Sequence, residues 1–225
     1  MLENLPEPLG RSLAGQRAGM DKVALQRLLR QRSLARLEVR SVAFENGMPL
    51  PLRFTADGDG SSPPLSWHGV PATAASTVLI VEDADSPTPQ PLVHAIAVNL
   101  AAADGALVEG ALVEGALSRN GGTPKPVETG INSFLRHGWL PPDPPPGHGE
   151  HHYVFQFFAL GPGPAFARVP GRQALFDAIA ERAVAGGMLI GTYERPHRQR
   201  IDAARTAQPA DEPAVALMGE GPQPA

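Results

Sequence analysis

The sequence predicts a mainly β protein, a sandwich with Greek-key connections and peripheral helices. Two observations carry that prediction. Apolar and β-branched residues alternate with a period of two near 38–44, 50–55, 76–83, 92–99 and 152–160, the signature of strands. Between these runs the 225-residue chain is punctuated by many of its 25 prolines and 24 glycines, so short strands are joined by frequent turns.

Residues 1–19 contain Pro and Gly and read as irregular. From Met20 to about Leu37 the spacing predicts a helix. Val23, Leu28 and Leu29 fall near one face, Lys22, Arg27, Arg30 and Arg36 mostly on others, and Asp21 suits the positive N-terminal end. At Glu38 the period changes to two, and the first strands follow. Asp57-Gly58-Asp59-Gly60 and Gly69-Val70-Pro71 are turns. Ala106–Gly110 and Ala111–Gly115 are tandem copies of ALVEG. A five-residue period suits neither helix nor strand, so the repeat reads as a slipped duplication in a loop or short helical turn. In 152–160, Tyr153, Phe155 and Phe157 share one face and Val154, Gln156 and Phe158 the other. Residues 172–186 predict a second helix, with Leu175, Ile179 and Arg182/Ala183 on one face and Gly186-Gly187 as its stop. Met188–Tyr193 reads as a last strand. The organisation expected is an N-terminal extension with one basic amphipathic helix (1–37), a β domain (38–195) and a disordered tail (196–225).

Composition narrows the function. There is no cysteine, so thiolate chemistry and disulfides are out. No apolar run approaches the ~20 residues of a membrane span, and residues 1–12 lack the form of a secretion signal; a cytoplasmic protein is expected. The net charge is −4, yet residues 1–40 carry eight Lys/Arg against four Asp/Glu. The body is therefore acidic, which argues against nucleic acid. The basic start could meet that body, a second copy in a homodimer, or an anionic surface.

The candidate chemistry is a split cluster. Asp83-Ala84-Asp85-Ser86-Pro87 follows the run Val78–Val81 and precedes His94. The second half, Pro144-Pro145-Pro146-Gly147-His148-Gly149-Glu150-His151-His152-Tyr153, opens the 152–160 strand. Asp83 and Asp85 share a strand face, as do His151 and Tyr153. If the halves meet, carboxylates, imidazoles and a phenol surround a pocket with a stiff Pro-rich rim. His148, His151 and His152 do not have zinc spacing, so no metal is expected, and no cofactor fingerprint is present.

Phe54-Thr55-Ala56-Asp57-Gly58, Ser62-Pro63-Pro64-Leu65-Ser66-Trp67, Gly69-Val70-Pro71, Asp83–Pro87, Val93-His94 and Pro144–Tyr153 occur in this order. Together they resemble the phosphatidylethanolamine-binding protein family, also called Raf-kinase-inhibitor-like, in its bacterial branch, over roughly residues 38–195. The resemblance implies a large central antiparallel sheet, a smaller second sheet and peripheral helices. It also implies a pocket for small anions or phospholipid head groups, built here from Asp83, Asp85, His94, Pro145, His151 and Tyr153. His94, His151 and Tyr153 would donate to the anion, and the Asp pair would orient His94 or receive an ammonium group. The chain departs from that pattern at Leu140 and Pro141, where the family often has glycines, at Asp143, which puts a negative charge near the rim, at His152, which replaces a usual Arg, and at Ala84, which replaces a common Pro.

The function expected is therefore a non-enzymatic small-anion or head-group binding protein with a regulatory role. The alternatives are a protein–protein regulator of a kinase or protease, and an acid–base hydrolase using the Asp/His cluster. The sequence shows neither a nucleophile elbow nor a phosphate loop, which weighs against an enzyme.

Overall fold

The structure is a computed structural model; it describes residues 6–112, 117–118, 125–166 and 169–195. The expected tail (196–225) and most of the second ALVEG copy lie outside the described residues. The chain up to Arg195 forms one compact unit.

The first helix, α1 (Glu7–Leu13), lies in the stretch expected to be irregular. Pro8 sits in its first turn, where a missing N–H costs nothing, and Glu7 and Arg11 match the two ends of its dipole. The helix expected over 20–37 is only a 3-10 turn, Met20–Lys22, and one short helix, α2 (Ala24–Leu29). The start of α2 is set from outside. Buried Glu82 accepts the Ala24 N–H at 2.7 Å, and Gln156 accepts that of Leu25 at 2.7 Å. Beyond α2 the chain turns extended as β1 (Ala35–Arg36) and β2 (Glu38–Arg40). Pairing along a sheet edge here overrides helical propensity.

The remaining strands are β3 (Met48–Pro49), β4 (Leu65–His68), β5 (Ser76–Asp83), β6 (Leu92–Leu100), β7 (Gly105–Leu107), β8 (Leu117–Ser118), β9 (Lys125–Pro126), β10 (Glu128–Thr129) and β11 (His151–Leu160), followed by α3 (Arg172–Arg182) and β12 (Ala183–Tyr193). The strand expected at 50–55 is a 3-10 turn, Leu52–Phe54. Pro49 and Pro51 have no N–H for a ladder there. The first ALVEG copy contributes Ala106 and Leu107 to β7.

Among the described residues the large sheet runs β1-β12-β11-β5-β6-β10, with β3 also on β12. Its centre is antiparallel, as expected, but β1 and β3 pair with β12 in parallel, so the sheet is mixed. The small sheet is β2-β4-β7. The alternation of β11 holds. Tyr153, Phe155 and Phe157 join Leu79, Val81, Ala95 and Ala97 in the core beneath the small sheet, where Trp67 stacks on Phe157 at 4.5 Å. Phe158, Ile80 and Val78 face the opposite core, covered by Leu25 and Leu28 of α2 and Leu175 and Ile179 of α3.

Gly186 and Gly187 are not a helix stop. They lie inside β12, where a Cβ on Gly187 would sit 2.1 Å from the Leu37 carbonyl oxygen. The missing side chains let Leu37 donate its N–H to the Gly186 carbonyl at 3.0 Å.

Candidate functional site

The two halves of the split cluster meet at one end of the central sheet. In the β11–β5 ladder Tyr153 lies opposite Asp83. The Asp83–Pro87 turn and the Pro-rich run into His151 therefore leave the sheet side by side.

His94 is aimed by a bulge. Val81 pairs with Ala95 and Glu82 with Val93, so His94 is an extra residue in β6. Plain alternation would turn it away from Ala95. The bulge instead turns it toward Tyr153, with the two rings edge to face at 5.0 Å. Leu140 pins it twice. Its N–H donates to the His94 carbonyl at 2.7 Å, and its carbonyl accepts from His94 Nδ1 at 2.6 Å. A carbonyl can only accept, so Nδ1 carries the proton and neutral His94 presents a bare lone pair at Nε2. That atom is buried without a hydrogen-bond partner, and so is the Tyr153 hydroxyl. Burial pushes His94 below its ordinary value of 6.5, the Asp83 charge opposing only in part. Burial, and then Asp83, pushes the Tyr153 hydroxyl well up. Empty and near neutrality, the site therefore offers a lone pair and a phenolic O–H.

Asp83 orients His151, not His94. Its Oδ2 lies 2.8 Å from His151 Nδ1, and its Oδ1 accepts the Asp85 N–H at 2.8 Å. His151 Nε2 in turn meets His148 Nδ1 at 2.7 Å, and His148 Nε2 donates to the Gln16 carbonyl at 3.2 Å. Asp85 faces outward. It accepts from Arg17 at 2.6 Å and from the N–H and ring of His152 at 2.8 and 2.7 Å. Burial raises its pKa, but Arg17 and His152 outweigh that and hold it below the usual carboxylate range.

Between the halves lies a cavity of about 30 Å³, lined by Asp83, Ser86, His94, Pro141, Asp143, Pro145 and His151, among others. That is room for about two waters. Of the expected site residues, Asp83, His94, Pro145 and His151 reach the lining. Tyr153 stands directly behind His94, and Asp85 is turned to Arg17 and His152. The charge of Asp143 is met by Arg195 at 2.7 Å. Arg195 also holds Asp57 at 2.8 Å and the Pro144 carbonyl at 3.0 Å, so it ties the Pro-rich rim to the Asp57 turn. Sequence reasoning missed Arg195, Arg17 and Gln16. Each acts across 51 or more residues of chain, and no local pattern marks them. Among the described residues no group of acidic or imidazole side chains could hold a metal ion, and no helix is long and apolar enough to cross a membrane.

Comparison with known proteins agrees with this architecture. The family model described as phosphatidylethanolamine-binding protein matches residues 40–194. A UPF0098 protein of Mycobacterium bovis is 35% identical over 158 residues, covering 70% of this chain and 70% of its own. Among solved structures, CT736 of Chlamydia trachomatis, described as a homologue of phosphatidylethanolamine-binding protein, is 32% identical with a TM-score of 0.61; 73% of this chain and all of that one are covered. YbcL of E. coli, described as a new member of the mammalian family, is 26% identical with a TM-score of 0.63, over 72% of this chain and all of its own. On the fold, the ordered motifs and these matches, the chain belongs to the phosphatidylethanolamine-binding protein family.

Proposed function

We propose that this protein binds a small oxyanion, free or as the head of a phospholipid, and does not turn it over. Family membership supports a ligand-binding or regulatory protein in general terms. The observation that carries the finer reading is a pair of orphaned polar atoms: His94 Nε2, on a residue that lines the small cavity, and the Tyr153 hydroxyl, buried behind it. Each unpaired buried group costs about 1–3 kcal/mol, which a guest with matching oxygens recovers. The cavity admits only one end of a larger guest, so the rest of a head group would stay outside the Pro-rich rim.

Because Nδ1 is committed to Leu140, His94 grips an anionic oxygen only when a proton lies between that oxygen and Nε2. Binding therefore brings a proton with the anion. A second observation speaks against hydrolysis. Ser86 is the one hydroxyl on the described lining, and it is occupied by the Asp83 carbonyl, Thr88 and the Leu92 N–H. Among the described residues no unoccupied hydroxyl lines the cavity with His94.

Ligand-detected NMR with phosphate, phosphoethanolamine and acetate tests the reading. Binding of at least one, lost in His94→Ala, is expected. Absence of binding by all three, or binding indifferent to His94→Ala, would contradict it.

A further inference from the structure

The segment ahead of the family-matched range is bonded to the back of this pocket. Four consecutive residues do this. The Gln16 carbonyl accepts from His148 Nε2 at 3.2 Å. Arg17 Nη1 donates to Asp85 Oδ1 at 2.6 Å and to the Glu150 carbonyl at 2.8 Å, and its Nη2 donates to the His148 carbonyl at 3.4 Å. The Ala18 N–H donates to the Ser86 carbonyl at 2.9 Å, and that of Gly19 to the Ala84 carbonyl at 2.7 Å. Upstream, α1 lies on the Pro-rich run, where a Cβ at Gly10 would stand 1.9 Å from the Pro146 carbonyl oxygen.

These bonds fall on both halves of the split cluster. Ala84–Ser86 belong to the turn that follows Asp83, and His148–Glu150 to the turn that precedes His151. The direct ladder between the halves ends near Tyr153 and Asp83, with one more bond from the Ala84 N–H to the His152 carbonyl at 3.0 Å. Past that point side chains join them: His151 bonds Asp83, His152 bonds Asp85, and the Arg17 guanidinium spans Asp85, Glu150 and His148. Its planar fork suits three acceptors at once, which an ammonium cannot match. Through Asp85 it also reaches the site, since the Asp85 N–H holds Asp83 Oδ1 and Asp83 holds His151.

We propose that Gln16–Gly19 is a staple completing the pocket, and that Arg17 is its positioning residue, setting Asp83 and His151 for the guest. The ligand readout rests on the oxyanion reading above; the positioning claim has a readout of its own. Coupling is reciprocal: a staple that sets the binding geometry is itself held more firmly when the site is filled.

The test uses the full chain, as wild type, Arg17→Ala and Arg17→Lys. Imidazole ¹⁵N shifts of His148 and His151 are recorded without ligand, amide exchange at Ala18 and Gly19 with and without inorganic phosphate, and the phosphate dissociation constant by titration. Arg17→Ala is expected to move the imidazole shifts and to speed exchange at Ala18 and Gly19, while Phe155 and Phe157 in β11 keep their protection. It is expected to raise the phosphate dissociation constant about tenfold, with Arg17→Lys in between. In the wild type, phosphate slows exchange at Ala18 and Gly19. Unmoved imidazole shifts in Arg17→Ala would overturn the proposal, as would unchanged phosphate affinity once the Ala18 and Gly19 protection is gone. If the wild type binds none of phosphate, phosphoethanolamine and acetate while the imidazoles still respond to Arg17→Ala, the oxyanion reading fails and the positioning role stands.

Discussion

His148 Nδ1 lies 2.7 Å from His151 Nε2, with both rings buried. This bond is the middle link of three, running from the Asp83 carboxylate to the Gln16 carbonyl. With Asp83 ionised, both ends of the chain can only accept. Three bonds therefore need three protons on two rings, and two neutral imidazoles carry two. All three bonds therefore form together only when the pair carries one proton more than two neutral rings do. A fourth proton would set N–H against N–H. Burial, and then the charge on His151, push His148 below its ordinary value.

Removing one ring breaks this count. His148→Ala leaves His151 Nε2 without an acceptor and the Gln16 carbonyl without a donor. A loss of about 1–3 kcal/mol of stability is expected. Urea unfolding of the variant against wild type measures it.

Stability depends on pH through the same residues. His94 and His148 both have pKa values lowered from 6.5 in the native state, chiefly by burial. The unfolded chain then binds more protons, so their contribution is present above pH 6.5 and is lost as pH falls toward the lowered native values. The His94 contribution should therefore grow as pH is raised from about 5 to 7, and His94→Gln should remove that part of the pH dependence. Urea midpoints of wild type and His94→Gln across this range decide it, and a difference between them that shrinks as pH rises would contradict the assignment.

Arg195 holds the rim shut from beneath. Its guanidinium meets Asp57 and Asp143 while almost fully buried. Asp57 also accepts from the Tyr193 hydroxyl at 2.5 Å. Arg195→Ala leaves two carboxylates uncompensated, and a cost of about 3 kcal/mol is expected. Thermal unfolding checks the cost, and NMR shifts along Leu140–Pro146 check that the rim moves.

Close approach in β12 makes Gly187 intolerant. A methyl there meets the Leu37 carbonyl, a backbone atom that cannot swing aside. Gly187→Ala is expected to cost about 1–3 kcal/mol and to speed amide exchange at Leu37. Both are read by denaturant unfolding and hydrogen exchange.

The sequence revealed the parts whose logic is local. The alternation of 152–160 shows because both faces of β11 are buried and opposite faces need opposite sets of residues. Asp83, His94, His151 and Tyr153 show because they lie in short ordered motifs at strand ends. What stayed hidden depends on distant partners. The helix read over 20–37 is cut short because residues 35–40 pair with strands that come much later in the chain, β12 and β4. Gly186 and Gly187 look like a helix stop until Leu37 is seen against them. The bulge that aims His94 has no sequence marker, and Arg17 and Arg195 reveal their roles only when Asp85, Asp57 and Asp143 are brought beside them.

The proposed site is two buried polar atoms, His94 Nε2 and the Tyr153 hydroxyl, that await an anionic guest arriving with a proton. Calorimetric titration of acetate above neutrality, repeated in buffers of different ionisation enthalpy, counts that proton. Acetate carries no proton above neutrality, so uptake of about one proton per acetate bound is predicted from the committed Nδ1 and the bare Nε2 of His94, and it should vanish with binding in His94→Ala. Acetate binding with no proton uptake, or no binding of acetate, phosphate or phosphoethanolamine at any pH tried, would contradict the account.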